Sequence, residues 1–157
     1  MVNLCPEAKA IWAGLEFRRP ALLSYLEQAS DAEFYWSPPG GGNSVGWQLW
    51  HISEVEDNWV RHHVLAEQPL FPFGLSVKQA NRSPFPSRHD LLGYFERVRA
   101  SSRQRLAAID ARDFDREVID DHFGKITLRD VWAGVVTSFA WHAGQVPLTL
   151  RLARALT

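Results

Sequence analysis

The chain has 157 residues, of which 46% are hydrophobic and 22% are charged, and this size and composition predict one globular domain over residues 1–157. Its 17 Lys and Arg nearly balance 18 Asp and Glu, and no long run of like charges occurs, so neither nucleic acid nor an anionic membrane is an expected partner. The single Cys5 excludes an intramolecular disulfide and favours a reducing compartment. The first 20 residues interrupt their apolar positions with charges, so they form neither a signal peptide nor a membrane span. We therefore expect a cytoplasmic protein.

The N-terminal half predicts two helices separated by a loop. Apolar side chains recur at helical spacing over residues 7–29, with a kink or local break at Pro20. The stretch SPPGGGN at residues 37–43 predicts a loop, because its Pro and Gly residues cannot continue a regular element. Ser44 stands where a helix N-cap belongs, and the periodic residues after it predict a second helix to about residue 67.

The C-terminal half begins with a long connection. Residues 68–86 hold four Pro and one Gly, a length and composition typical of lids and binding loops. Capping patterns at residues 87–90 and 127–130 then begin a third helix to about residue 109 and a fourth to about residue 155, which Pro147 should bend. Between them, the segment near 113–126 contains two short β-prone runs around a Gly, which predict a small hairpin or an irregular turn.

Four helices and no strong strand predict an all-α fold, an antiparallel four-helix bundle. Sites in bundles are built from inward-facing side chains on opposing helices, so polar residues on a helix face that should be apolar indicate a site. Two helices carry such stripes, because residues three and four apart share a face. The second helix carries Trp47, His51, Glu54, Asn58 and His62, and the fourth carries Ser138, His142, Gln145 and Thr149.

The presence of two polar stripes on predicted core helices can be explained if the stripes face each other. Buried His and Glu are costly to desolvate unless they are paired, hydrogen-bonded or bound to a cation. A divalent metal that accepts a neutral imidazole from each helix would meet this requirement, which makes His51 and His142 candidate metal ligands. The competing interpretation is structural: the two imidazoles are satisfied by hydrogen bonds or solvent, and Glu54, Asn58 and His62 form a solvated face.

Two segments resemble a known family. NSVGWQLWHISEVEDNW, residues 43–59, and TLRDVWAGVVTSFAWHAGQVPLTLRLAR, residues 127–154, are similar to the signature regions of the DinB/YfiT-like family of four-helix metalloproteins. The resemblance implies a zinc or nickel ion held by three His, with His51 and His142 matching the first and last ligands. Ser138 stands where the middle ligand would fall, and a neutral hydroxyl is a poor replacement for an imidazole. Either Glu54 or, less well placed, His122 completes the set, or the metal is lost and the pocket kept.

The resemblance also implies an activity and partners. Metal-bearing members resemble transferases or hydrolases in which the metal holds a low-molecular-weight thiol as thiolate, with a small-molecule substrate and often a homodimer. Glu54 would then act as a ligand or catalytic base, and Gln145 would orient His142. The alternative is a DinB-like small-molecule-binding or stress-related structural protein without metal. A complete set of ligands would favour the first interpretation, and Ser138 speaks against it.

Overall fold

The computed structural model describes residues 4–80 and 85–156 and is mostly helical. The helices are α1 (Pro6–Phe17), α2 (Arg19–Gln28), α3 (Asp31–Tyr35), α4 (Val45–Trp59), α5 (Arg88–Ala108) and α6 (Leu128–Leu156), and the strands are β1 (Glu117–Asp120) and β2 (Gly124–Thr127). A π-helical turn, Val60–Leu65, continues α4, and a 3-10 turn, Ala111–Asp115, precedes the two short antiparallel strands.

No helix within residues 4–80 and 85–156 combines the length and the apolar content that crossing a bilayer requires.

The first predicted helix is two helices, and the break lies just before Pro20. Helix α1 ends at Phe17 and α2 begins at Arg19, so Pro20 occupies the first turn of α2, where its missing N–H is not needed. The short α3 was not predicted, although its capping box is visible in the sequence. The Ser30 hydroxyl accepts the Glu33 N–H, and the Glu33 carboxylate accepts the Ser30 N–H at 2.6 Å.

The predicted caps of the three long helices are confirmed. The hydroxyls of Ser44 and Ser87 accept N–H groups in the first turns of α4 and α5, each at 3.1 Å. Asp130 accepts both the N–H and the hydroxyl of Thr127 at the start of α6. The predicted hairpin is also present, with Glu117 of β1 opposite Thr127 of β2.

Contacts between the long helices fix their relative directions. Helices α4 and α6 run antiparallel, because successive positions on α4 meet earlier positions on α6: Gln48 meets Thr149, His51 meets His142, and Trp59 meets Gly134.

Helices α4 and α5, by contrast, run in the same direction, so the antiparallel arrangement predicted for the bundle does not extend to this pair. Trp50, in the first half of α4, contacts Phe85 just before α5, and Glu56 near the end of α4 pairs with Arg99 inside α5. The connection after α4 therefore has to return along the whole helix, a distance of about 22 Å for 15 residues. This crossover accounts for the length of the 68–86 segment.

A buried ion pair lies where four helices meet. The side chains of Arg99 and Glu56 are 3% and 2% exposed, and Nη2 lies 2.9 Å from Oε2. Nη1 of Arg99 donates to the carbonyl oxygen of Leu15 at 2.8 Å, and the guanidinium lies over the ring of Phe139, 4.6 Å from its centroid. Burial raises the pKa of Glu56, and the charge of Arg99 opposes the shift. One guanidinium thus links α1, α4, α5 and α6.

We expect Glu56→Ala to lower the free energy of unfolding by about 3–5 kcal/mol, because it leaves the buried Arg99 cation with only the more distant carboxylate of Glu16, at 3.7 Å, as a counter-charge. Urea unfolding followed by circular dichroism measures this value. The double variant Glu56→Met with Arg99→Met should lose much less, since both charges are removed together. A loss below about 1 kcal/mol for the single variant would contradict the role of the pair.

Substitutions at two glycines of α6 test how closely α4 packs against this helix. A Cβ at Gly134 would overlap the ring of Trp59, whereas a Cβ at Gly144 meets nothing within 4 Å. Gly134→Ala should therefore destabilise the protein by about 1–3 kcal/mol through overpacking. Gly144→Ala should stabilise it by about 0.5–1 kcal/mol through helix propensity. Thermal unfolding of the two variants beside the parent checks both signs, and equal effects would contradict the close approach.

Candidate functional site

The polar stripes of α4 and α6 face each other, as expected. The rings of His51 and His142 are in T-shaped contact, with centroids 4.7 Å apart. Trp47, one turn earlier on α4, stacks on His51 with its centroid at 4.7 Å and an interplanar angle of 24°. Next to this cluster, the amide of Gln48 donates to the Thr149 hydroxyl at 2.9 Å. The two helices thus bring two imidazoles and an indole into one cluster.

Both imidazoles are held in the neutral form. Burial, the neighbouring His142 and the charge of Lys78 lower the pKa of His51 to about 4, and burial lowers the pKa of His142. Nδ1 of His142 lies 3.1 Å from Oε1 of Gln145. Because an amide oxygen accepts hydrogen bonds, this Nδ1 carries the proton and Nε2 keeps a lone pair. The predicted orienting role of Gln145 toward His142 therefore agrees with the geometry.

His51 has a buried ring nitrogen without a partner. Its Nδ1 is buried and has no hydrogen-bond partner within the described part of the chain. A buried polar atom without a partner costs about 1–3 kcal/mol. A ligand that contacts this nitrogen would remove the penalty, so the atom marks a place where a bound group would be stabilised.

Glu54, one turn after His51, anchors the long connection. Its carboxylate accepts hydrogen bonds from the Ser76 hydroxyl and from the Val77 N–H, the latter at 2.8 Å. Each oxygen thus accepts one hydrogen bond, and within the described residues Glu54 is not grouped with the two imidazoles as a set of metal ligands. The same contacts hold residues 76–78 over the face of α4 that carries His51. Residues 76–78 of the long connection therefore cover part of the site, which the length and composition of the segment allowed but did not establish.

The other candidate ligands lie apart or are weak donors. Ser138 lies on α6 one turn before His142 and is partly buried. His122 lies in the turn of the hairpin, packs on Phe123 and lines a cavity that His51 does not line. Within residues 4–80 and 85–156, no three His, Cys, Asp or Glu side chains are placed together to hold a metal ion. The structure thus supplies two imidazoles and no strong third ligand.

Two cavities flank the imidazole cluster. One, of about 360 Å³, lies on the Trp47 side and is lined by the loop at residues 37–44. The other, of about 240 Å³, lies on the His51 side and is lined partly by the long connection, through Phe71, Ser76 and Lys78. The sequence did not identify these three residues, because an irregular segment has no period that shows which side chains turn inward.

A second polar cluster lies at the end of α4. His62 is exposed, as the interpretation of a solvated face expected, whereas His63 is 7% exposed and pairs with Asp120 of the hairpin at 3.0 Å. His63 belongs to the π turn that continues α4. This pair fastens the hairpin to the end of α4.

The lowered pKa of His51 predicts a stability loss in acid. The unfolded chain, with a pKa of 6.5, binds a proton at this residue that the folded protein rejects down to about pH 4. The free energy of unfolding should therefore fall as the pH drops through this window, by about 1–2 kcal/mol after allowance for partial exposure. Urea midpoints at pH 7 and 5 measure the loss. His51→Asn should reduce it, and His89→Asn, at an exposed position, should not; equal losses in all three proteins would contradict the assignment.

Comparisons with known proteins agree with the fold. The sequence profile of the DinB superfamily matches residues 15–146. No curated protein is similar enough to count as a match. A solved structure, described as the conserved protein of locus from Enterococcus faecalis, is similar with a TM-score of 0.80 and 16% identity, covering 94% of this chain and 96% of that one. At that identity the likeness shows the fold alone, whereas the profile match extends over most of the chain. The chain therefore belongs to the DinB superfamily.

Proposed function

We propose that this protein binds a small molecule beside an imidazole pair, His51 and His142, that holds a divalent metal only weakly. One observation carries the proposal: the two neutral rings are in contact, and the described residues place no strong third ligand beside them. Catalytic zinc sites have three protein ligands and one open position. The flanking cavities supply space for a ligand whose own atoms lie against the imidazoles.

The fold that supports this function is, we infer, the four-helix bundle of the family. Its members would be α1 with α2 as one broken helix, α4, α5 and α6. The contacts between the helices support this arrangement, with α4 and α5 as parallel neighbours joined by the long crossover. In such a bundle the facing stripes of α4 and α6 lie along one inner seam.

The donor atoms present fit a two-point attachment of zinc or nickel and do not fit a resident three-His centre. His51 has its unpaired Nδ1 and His142 its free Nε2. Ser138 adds only a neutral hydroxyl, and within the described residues Glu54 is not grouped with the two imidazoles as a third ligand. A metal bound at two points would exchange readily, since affinity follows the number and charge of the ligands.

A second candidate is a metal-dependent transferase or hydrolase that uses a low-molecular-weight thiol. The buried, unpaired Nδ1 of His51 favours it, because a metal would satisfy that nitrogen. Bound zinc or nickel would supply a stabilised thiolate in such a site. In this chain an external ligand would have to complete the coordination that Ser138 leaves short.

We also propose a homodimer in the cytoplasm. Trp141 and Leu148, on the outer side of α6, are 68% and 50% exposed. Large exposed apolar side chains on one helix face support an association between copies.

Calorimetric titration of tag-free, metal-free protein with Zn²⁺ and Ni²⁺ tests the weak site. We expect a dissociation constant of about 10 μM or weaker for the parent, and no measurable binding for His142→Ala. Ser138→His should tighten binding by about 100-fold, because it restores a third imidazole one turn from His142. His89→Ala, at an exposed position, serves as the control.

Two outcomes of this titration would contradict the proposal. Tight stoichiometric binding by the parent would show that another group completes the site. An unchanged affinity in Ser138→His would show that position 138 does not point at the imidazoles.

A further inference from the structure

The cavity of about 240 Å³ beside His51 contains two opposite charges that do not pair with each other. Glu54 and Lys78 both line it. Within the described part of the chain, neither side chain forms an ion pair. Opposite charges in one cavity that leave each other unpaired are each free to bind a ligand group of the other sign.

The carboxylate of Glu54 is fixed and still has capacity to accept. Its two oxygens receive one hydrogen bond each, from the Ser76 hydroxyl and the Val77 N–H. An ionised carboxylate accepts about four hydrogen bonds in all. An ammonium group in the cavity would therefore find an oriented acceptor at Glu54 without displacing the long connection.

Lys78 supplies the complementary cation at the rim. It follows Val77 directly, so the hydrogen bond from Val77 to Glu54 also positions the backbone of Lys78. Its side chain is exposed, which leaves the ammonium able to turn toward a carboxylate in the cavity. The hydrogen bond from Val77 thus holds the carboxylate of Glu54 and also positions the backbone of Lys78.

Half of the residues in the remaining wall of the cavity are apolar. Val55, Trp59 and Phe71 line it together with the polar His51, Asn58 and Ser76, and Trp59 is held in place by its packing on Gly134 of α6. A cavity of this volume is smaller than the sites that take drug-sized ligands. Two opposite charges beside an aromatic wall in so small a space match one chemical class of ligand.

We propose that this cavity binds a zwitterion of the α-amino acid class, with its carboxylate on Lys78, its ammonium on Glu54 and an apolar side chain against Trp59 and Phe71. The inference rests on the proposed small-molecule binding at this site and names the ligand class. It does not depend on a bound metal, because the groups that recognise the zwitterion are separate from the imidazole pair.

Four related probes test the inference by isothermal titration calorimetry on the full chain. L-phenylalanine carries both charges, L-phenylalaninamide lacks the carboxylate, N-acetyl-L-phenylalanine lacks the ammonium, and 2-phenylethanol lacks both. We expect L-phenylalanine to bind at least about fivefold more tightly than each of the other three.

Two variants assign the preference to its residues. Lys78→Met should abolish the preference for L-phenylalanine over the amide, and Glu54→Gln should abolish the preference over the N-acetyl compound. Lys125→Met is the matched control, since Lys125 lies on β2 with its side chain 63% exposed, and it should bind like the parent. Lys78 is also exposed, so loss of binding in its variant cannot be attributed to misfolding when circular dichroism is unchanged.

The outcomes separate this inference from the proposed function. Equal binding of all four probes would overturn the proposed preference for a zwitterion and would leave the proposed small-molecule binding in place. No saturable binding of any probe below about 10 mM, a free energy weaker than about 3 kcal/mol, would overturn both. An undiminished preference in Lys78→Met would overturn the assignment to Lys78. A zwitterion preference combined with tight metal binding would uphold the inference while contradicting only the weak metal site.

Discussion

The guanidinium of Arg99 is buried where α1, α4, α5 and α6 meet, and a cation in such a place has to be neutralised from several directions. Glu56 supplies the counter-charge, the Leu15 carbonyl supplies an acceptor and Phe139 supplies an aromatic face. Because each contact has a strict geometry, the group sets the depth at which four helices pack. A buried pair of this kind adds little to stability relative to an apolar core, but it disfavours any other register of the helices.

The imidazole pair depends on that register. His51 lies five residues before Glu56 on α4, and His142 lies three residues after Phe139 on α6. The same helices that meet at the guanidinium therefore meet again, about one turn further along, at the two rings. A slip of one residue along α6 would rotate His142 by about 100° away from His51. The site is thus a consequence of core packing.

The parts of the fold that local sequence patterns encode could be predicted from the sequence. Helical periodicity, the serine caps and the hairpin around Gly124 lie within short stretches of chain, and so does the spacing that places His51 and His142 on inward faces. The parallel course of α4 and α5 could not be predicted, because the relative direction of two helices depends on the path of the connection between them and not on local composition. The hydrogen bonds from Ser76 and Val77 to Glu54 could not be predicted either, since residues in an irregular segment have no period that indicates their partners.

The π turn at the end of α4 has a consequence for how this chain compares with its relatives. A π turn carries one residue more than the α-helical turn that it replaces, so the chain after residue 65 is advanced by one position relative to a regular helix. A relative with a regular helix would have one residue fewer between positions 60 and 65. An alignment that ignored this difference would place every later residue of the relative one position out of register with this chain.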